Sequence, residues 1–188
     1  MAITQTDIDY ALKVQSEYGV PASVTLAAYQ VESGAGTSPL SKASNNFFSI
    51  MWTGSGDYYQ GTDRKWRKYA TKWDSFEDFG KLLSGKKYSA LTAGSKNVEE
   101  YIHAYADTYA PPTENYNYAE TLINVIYKNN LTQYDTGLTT TGTVETTETT
   151  TPETEQVKVE GFVANLSLVL TLVLLFVIGG LCIYKSFT

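Results

Sequence analysis

The sequence has almost none of the residues that build disulfide frameworks and metal sites. Its 188 residues include one cysteine, Cys182, and one histidine, His103. A single cysteine excludes a disulfide framework and a cysteine-rich zinc site. A single histidine excludes a multi-histidine metal centre and disfavours a serine–histidine catalytic pair. We therefore expect neither a metal ion nor a cofactor.

Positive charge is scarce, and an export signal is missing. The chain has 14 basic against 20 acidic side chains, and its formal net charge is −6. This balance argues against a general nucleic-acid binder. Residues 1–15 contain neither a basic start nor an apolar run, so no secretory signal is expected. We expect a soluble domain at residues 1–134 that is not exported by the usual signal-peptide route.

Two segments beyond residue 134 differ in composition from the rest. Residues 135–160 are rich in threonine and acidic side chains. Such a segment cannot bury enough apolar surface to offset its ordering entropy, which predicts a flexible, disordered linker or a glycosylated stalk. Residues 161–184 contain no charged side chain. At ~1.5 Å per residue they are long enough to cross a bilayer, which predicts a single C-terminal transmembrane helix before a short tail at 185–188.

Apolar periodicity in the N-terminal part is mainly helical, with one small β excursion. The class is therefore mainly α, close to α+β. We expect Thr6 or Asp7 to cap the first helix, and Asp74 or Ser75 to cap the helix that carries SFEDFGKLLS. The predicted helices span 7–17, 24–32, 75–84, 98–109 and 118–128; 34–46 is a loop, FFSIMW is a short buried strand or an apolar insertion, and 54–74 contains a hairpin.

Glu32 is the first candidate for catalysis. It follows the apolar run VTLAAYQV and precedes Ser33 and Gly34, which places it in the last turn of a buried helix. The negative end of the helix dipole and partial burial both disfavour a charged carboxylate, so both raise its pKa. A carboxyl group that keeps its proton near neutral pH is the general acid that a glycosidase needs. The alternative is a glutamate that turns to solvent at a helix end.

The residues around Glu32 resemble a known family. The run YQVESGAGTSPLSKASNNFFSIMW is similar to glycoside hydrolase family 73, the bacterial β-N-acetylglucosaminidases that cut peptidoglycan. The resemblance continues through WRKYATKWDSFEDFGKLLS and YADTYAPPTENYNYAETLINVIY, and covers about residues 5–131. Ser49 and Met51 depart from the more usual Gly and Lys of the family. The resemblance implies a lysozyme-like helical domain with a small β-hairpin lobe and a groove for glycan strands.

The resemblance also implies catalytic roles for individual residues. Glu32 carries over as the catalytic acid. Asp63, in the hairpin, is the first choice for the second acidic residue, and Asp57 is the second choice. Either aspartate can equally be a solvated turn residue, and the N-acetyl group of the substrate then takes the second role. Tyr118 matches a functionally important tyrosine of the family, and core packing is its alternative role.

Four further residues are expected to bind substrate. Phe48, Trp52 and Tyr109 can stack on the faces of sugar rings, although each is equally suited to the core. Asn46 is expected in the same region, where its side chain can also hold the loop beneath Glu32 by hydrogen bonds to the backbone.

The function predicted from these features is a membrane-anchored peptidoglycan hydrolase that cleaves β-1,4 bonds of the glycan strand. Its expected partners are that strand and, through residues 161–184, a lipid bilayer. The expected location is the internal membrane of a phage virion, or otherwise a bacterial cell envelope. The alternatives are a lytic transglycosylase or muramidase, a wall-binding structural anchor, and a scaffold that binds a protein partner.

Overall fold

The computed structural model describes residues 2–113 and 117–137, and most of these described residues lie in helices. The predicted mainly helical class with a small β-hairpin is confirmed. In chain order the elements are α1 (Gln5–Tyr18), α2 (Ala22–Ser33), α3 (Pro39–Ser44), β1 (Tyr58–Gln60), β2 (Lys65–Arg67), α4 (Lys72–Ser84), α5 (Lys86–Thr92), α6 (Val98–Tyr109), α7 (Tyr118–Lys128) and a short 3-10 helix, Leu131–Tyr134.

The C-terminal features predicted from composition lie outside the described residues. These are the transmembrane helix at 161–184, the tail at 185–188 and nearly all of the linker at 135–160. Within the described residues, no helix combines the length and the apolar character that are needed to cross a membrane.

Two helices begin with the same capping motif, a few residues earlier than predicted. Thr4 caps α1 and Thr71 caps α4, and each accepts a hydrogen bond from the backbone N–H three residues later. Asp7 and Asp74, which were expected near the cap position, occupy that third position and accept a hydrogen bond from the cap backbone in return. Such a reciprocal pair satisfies two backbone donors that the helix start would leave without partners.

Helix α2 is the central element of the core. Its residues from Ala22 to Ala28 are completely buried, and it packs against α1, α7 and the 3-10 helix. It ends at Gly34, whose left-handed conformation (φ 59°) carries no steric penalty because glycine has no Cβ atom. Glu32 therefore lies in the last turn of a buried helix, as predicted.

The start of α2 is held by residues from the far end of the domain. Pro21 at the cap position provides no side-chain hydrogen bond. Instead, the Asp135 carboxylate accepts hydrogen bonds from the backbone N–H of Ser23 at 2.8 Å and from its hydroxyl at 2.6 Å. The Gln15 side-chain oxygen accepts from the backbone N–H groups of Ala22 and Thr136. The folded contacts thus extend past residue 134, the expected end of the domain.

The hairpin is short and carries one additional backbone contact. Met51 forms a single β-bridge with Trp66, and the backbone N–H of Trp52 donates to the Lys65 carbonyl oxygen at 3.0 Å. The segment FFSIMW is therefore an apolar insertion with one β-bridge, which is one of the two predicted alternatives. The two strands pair antiparallel, with Tyr58 opposite Arg67, Tyr59 opposite Trp66 and Gln60 opposite Lys65.

Two short helices were not predicted. Helix α3 lies inside the predicted loop 34–46, where Ser38 caps it and Pro39 occupies its first position. The Ser-Pro pair is a helix-start signal, but the surrounding small polar residues masked it. Helix α5 follows α4 after only Gly85, and it contributes the buried ring of Tyr88 to the core.

Candidate active site

A cleft of about 250 Å³ lies at the C-terminal end of α2. Helix α2 contributes Glu32, the loop after α3 contributes Ser49 and Met51, and the hairpin contributes Arg64 and Trp66. The end of α6 closes the remaining side. The described residues that line this cleft are Glu32, Ser49, Met51, Arg64, Trp66, Tyr109 and Ala110.

The Glu32 carboxyl group is half-buried at the wall of this cleft. Burial raises its pKa above the ordinary glutamate value, because the charged form loses solvation. The side chains of Tyr118 and Ser49 oppose this rise, since both favour the charged form. The site thus combines a carboxyl group that retains a proton to higher pH with two hydroxyl groups that face it.

Two tyrosines from different helices pack together next to Glu32. The rings of Tyr109 and Tyr118 are stacked, with centroids 5.8 Å apart and planes 13° apart. The Tyr109 hydroxyl donates a hydrogen bond to the backbone carbonyl of Phe48, which fixes the position of its ring at the cleft. Tyr109 thus lines the cleft as predicted, and it also supports the ring of Tyr118.

The Tyr118 hydroxyl is buried and makes no regular hydrogen bond to any described residue. Its contact with Glu32 affects the carboxyl pKa but is looser than an ordinary hydrogen bond. A buried hydroxyl without a partner is unfavourable, at about 1–3 kcal/mol. Tyr118 therefore has an unused hydrogen-bonding group beside the carboxyl group that the sequence predicted to be catalytic.

Ser49 has a strained backbone at the same site. Its φ of 51° lies in the left-handed region, which non-glycine residues rarely adopt. This conformation explains why the related family more usually has glycine at this position. In this chain the position instead places a hydroxyl group against Glu32.

The two aspartates predicted for the second acidic role do not line this cleft. Asp63 is exposed, and its carboxylate pairs with the Arg64 guanidinium at 3.2 Å. Asp57 is also exposed, and it lines a separate cavity of about 350 Å³ together with Arg67 and Lys68. Among the described residues that line the cleft, Glu32 has the only carboxylate.

The remaining predicted substrate-binding residues have other positions. Phe48 has no exposed surface: its ring stacks on Phe79 with centroids 4.3 Å apart, so it is a core residue. Asn46 is buried and uses its amide to hold the loop, donating to the carbonyl oxygens of Ile50 and Arg67. Trp52 is half-buried, lies outside the cleft lining, and donates its indole N–H to the Gly56 carbonyl.

Five cleft residues were not predicted as site residues, namely Ser49, Met51, Arg64, Trp66 and Ala110. Arg64 directly precedes β2 and Trp66 is the middle residue of this strand, and both side chains line the cleft. Lys65 and Arg67, the two neighbours of Trp66 in the strand, point to the opposite face. The alternating sequence RKWRKY is the feature that could have indicated which side chains share a face. The pattern could not predict which of the two strand faces borders the cleft, because this depends on how the helices pack against the hairpin.

No metal-ligand cluster occurs in this region. Nowhere in residues 2–113 and 117–137 do three or more His, Cys, Asp or Glu side chains gather as a ligand set. His103, the single histidine, is exposed on α6, where it lies 3.6 Å from Glu120.

The fold and the site together define a class of protein. A half-buried carboxyl group at the end of a core helix, facing a cleft beside a small hairpin, is the arrangement of a lysozyme-like glycoside hydrolase. Residues 8–131 match the model of the glucosaminidase family, which is described as mannosyl-glycoprotein endo-beta-N-acetylglucosaminidase. This match covers more than half of the chain, and the chain belongs to this family.

Individual relatives are similar over the same region. An autolysin of Enterococcus faecalis is 36% identical over an alignment of 133 residues, and the match covers 61% of this chain and 18% of the autolysin. The chain therefore spans less than a fifth of that relative's length.

Solved structures extend the similarity to the fold. The crystal structure of the catalytic domain of the autolysin Auto from Listeria monocytogenes has a TM-score of 0.55 at 27% identity, covering 72% of this chain and 91% of that chain. A peptidoglycan hydrolase from Sphingomonas sp. A1 has a TM-score of 0.55 at 27% identity, covering 70% of this chain and 92% of that chain.

Proposed function

We propose that this domain hydrolyses β-1,4 glycosidic bonds of peptidoglycan and leaves N-acetylglucosamine at the new reducing end. The observation that carries the proposal is the half-buried Glu32 carboxyl group, whose pKa is raised by burial, at the wall of an open cleft. Membership of the glucosaminidase family and similarity to an autolysin and to a peptidoglycan hydrolase support it.

Glu32 acts as the general acid in this proposal. Its carboxyl proton passes to the glycosidic oxygen as the bond from that oxygen to C1 breaks, and positive charge develops on the sugar ring. The Tyr118 hydroxyl, which lacks a partner among the described residues, donates a hydrogen bond to the substrate beside the reacting bond.

The substrate supplies the second catalytic group. Its acetamido oxygen bonds to C1 as the leaving oxygen departs, which closes a five-membered ring on the sugar. Water then attacks C1 and opens this five-membered ring, while the Glu32 carboxylate takes a proton from that water. This route is favoured over the predicted Asp63 because that carboxylate is exposed and ion-paired. Asp63 remains the alternative, and Asp57 follows it.

The product ends provide the test. The full-length protein is incubated with purified peptidoglycan, and the released fragments are analysed by mass spectrometry. Reducing N-acetylglucosamine ends support the proposal, whereas reducing muramic acid ends indicate a muramidase and 1,6-anhydro ends a lytic transglycosylase. Glu32→Gln is expected to lower the rate of release by about 10²–10⁴-fold, and Glu17→Gln, a change of an exposed carboxylate on α1, serves as the matched control.

A wall-binding protein without turnover gives a different result. Sacculi would then retain the protein, release no fragments, and bind Glu32→Gln as well as wild type.

We also propose that residues 161–184 anchor the protein in a lipid bilayer. The support is the run of 24 residues without a charged side chain. A chain ending at residue 160 is expected to lose flotation with lipid vesicles that the full chain shows. Fractionation of phage particles and host envelopes distinguishes the expected virion membrane from a bacterial envelope.

A further inference from the structure

Three described side chains lie against Arg64 at the mouth of the catalytic cleft. Its Nε lies 3.2 Å from an Asp63 carboxylate oxygen, and its Nη1 lies 3.8 Å from the Met51 sulfur. The guanidinium carbon lies 5.6 Å from the centre of the Trp66 ring. These contacts restrict the orientations that the Arg64 side chain can adopt. The guanidinium group is therefore prepared to bind at the cleft before any ligand arrives.

A positively charged side chain is unusual in a cleft that would bind only a neutral sugar. Among the described residues lining it, Arg64 carries the only positive charge, and Glu32 is neutral in the form that donates its proton. Hydroxyl and acetamido groups require no cation for recognition. A planar guanidinium group matches a carboxylate, with which it can form two parallel charge-assisted hydrogen bonds.

We propose that Arg64 is a specificity-determining residue that binds a carboxylate carried by the glycan strand. This inference rests on the proposed function. In peptidoglycan the carboxylate belongs either to the lactyl ether of muramic acid or to the stem peptide attached there. The cleft therefore prefers carboxylate-bearing strands over neutral polymers of N-acetylglucosamine.

The ion pair between Arg64 and Asp63 is compatible with binding of a substrate carboxylate by Arg64. The Asp63 carboxylate is 68% exposed, and exposed ion pairs contribute only about 0–1 kcal/mol. A substrate carboxylate that enters the cleft is more shielded from water and competes well for the same guanidinium group. Asp63 then holds Arg64 in position between turnovers.

Matched substrates test this recognition. Full-length protein is given glycan strands stripped of peptide, which carry lactyl carboxylates, and the same strands after conversion of those carboxylates to methylamides. The ratio of kcat/KM on the two substrates measures recognition of the carboxylate. Wild type is expected to favour the charged strands, and added salt should reduce this preference.

Arg64→Gln is expected to lower that ratio about tenfold or more, the usual effect of losing a hydrogen bond between charged groups. Arg64→Lys, which keeps the charge without the planar fork, should give an intermediate ratio. Lys68→Gln removes one positive charge from the same region and should keep the wild-type ratio, because Lys68 lines the other cavity.

Peptide-bearing strands identify the source of the carboxylate. A loss with Arg64→Gln that is confined to these strands assigns the contact to the stem peptide, and a loss on stripped strands assigns it to the lactyl group. The inference is overturned if Arg64→Gln leaves the kcat/KM ratio of charged to neutral strands unchanged, both for stripped and for peptide-bearing strands. It is also overturned if the variant loses kcat/KM equally on charged and neutral strands. If wild type cleaves none of them, the proposed function itself fails.

Discussion

The ring of Tyr109 lies flat against the ring of Tyr118, with centroids 5.8 Å apart. This contact joins the end of α6 to the start of α7 and brings the Tyr118 hydroxyl to the Glu32 carboxyl group. Two consecutive helices thus place their tyrosine rings next to the candidate catalytic carboxyl group. The first two predictions concern the two groups that meet there.

Replacing the Glu32 carboxyl group should lower activity but raise stability. Glu32→Gln is expected to lower the turnover rate by about 10²–10⁴-fold, the usual contribution of a general acid. The same change should stabilise the fold near neutral pH. Because burial raises the pKa of Glu32 in the folded state, wild type is fully stable below the ordinary glutamate pKa and loses stability as the pH rises through the folded value.

Thermal unfolding across pH checks this second effect. The melting temperature of Glu32→Gln should exceed that of wild type at neutral pH, and the difference should shrink towards pH 4. A variant that is less stable than wild type at neutral pH would show that the charged carboxylate is well accommodated.

The Tyr118 hydroxyl should matter for turnover and not for folding. Tyr118→Phe removes a buried hydroxyl without a partner among the described residues, so the free energy of unfolding should stay equal or rise. Turnover should fall about tenfold, because a hydrogen bond made to the substrate is lost.

Tyr105→Phe is the matched control for this change. The Tyr105 hydroxyl is likewise buried without a partner among the described residues, but unlike the Tyr118 hydroxyl it does not lower the pKa of the Glu32 carboxyl group by hydrogen bonding. Equal losses of turnover in both variants would contradict a specific role for Tyr118.

Ser49 should set the upper pH limit of activity. A general acid works only while protonated, so activity falls as the pH rises through the Glu32 pKa. The Ser49 side chain lowers that pKa, and both Ser49→Ala and Ser49→Gly should move the basic limb of the pH–rate profile to higher pH. Only Ser49→Gly relieves the left-handed backbone, for which a gain of up to about 1 kcal/mol is expected.

The two variants separate the hydroxyl from the strain. The pH–rate profile reports the hydroxyl, and chemical denaturation reports the strain. A basic limb that stays in place in both variants would mean that Ser49 does not influence the proton on Glu32.

The exposed aspartates should be dispensable if the substrate supplies the second group. Asp63→Asn and Asp57→Asn are each expected to change kcat by less than about threefold, well below the contribution of a catalytic carboxylate. The released anomer, followed by NMR, should retain its configuration, as a two-step route requires. A loss of 100-fold or more in Asp63→Asn together with inversion would restore Asp63 as the second acid.

Asp135 should stabilise the domain from outside its predicted boundary. It caps α2 across 112 residues of sequence, and replacing a cap residue by alanine usually removes about 0.5–2 kcal/mol. Asp135→Ala should therefore lower the denaturation midpoint, whereas the exposed Asp107→Ala should not. A chain that ends at residue 134 should likewise have a lower denaturation midpoint than a chain that ends at residue 137. Equal midpoints for these two chains would show that the cap is unimportant.

Local patterns were enough to place several features of this molecule. Periodicity predicted the main helices, because one face of each helix must be apolar to be buried. Gly34 and the apolar run before Glu32 placed that carboxyl group at a helix end. The alternating segment around Trp66 predicted a hairpin, since side chains of a strand alternate between two faces.

The composition of the cleft wall depended on contacts between distant parts of the chain. Phe48 and Trp66 are both large aromatic residues, yet Phe48 is buried against Phe79 whereas Trp66 lines the cleft. Asp63 has the residue type of a catalytic acid, but its side chain is exposed, pairs with Arg64 and does not line the cleft. Periodicity reports which faces are apolar, whereas burial and proton affinity depend on which elements finally pack against each side chain.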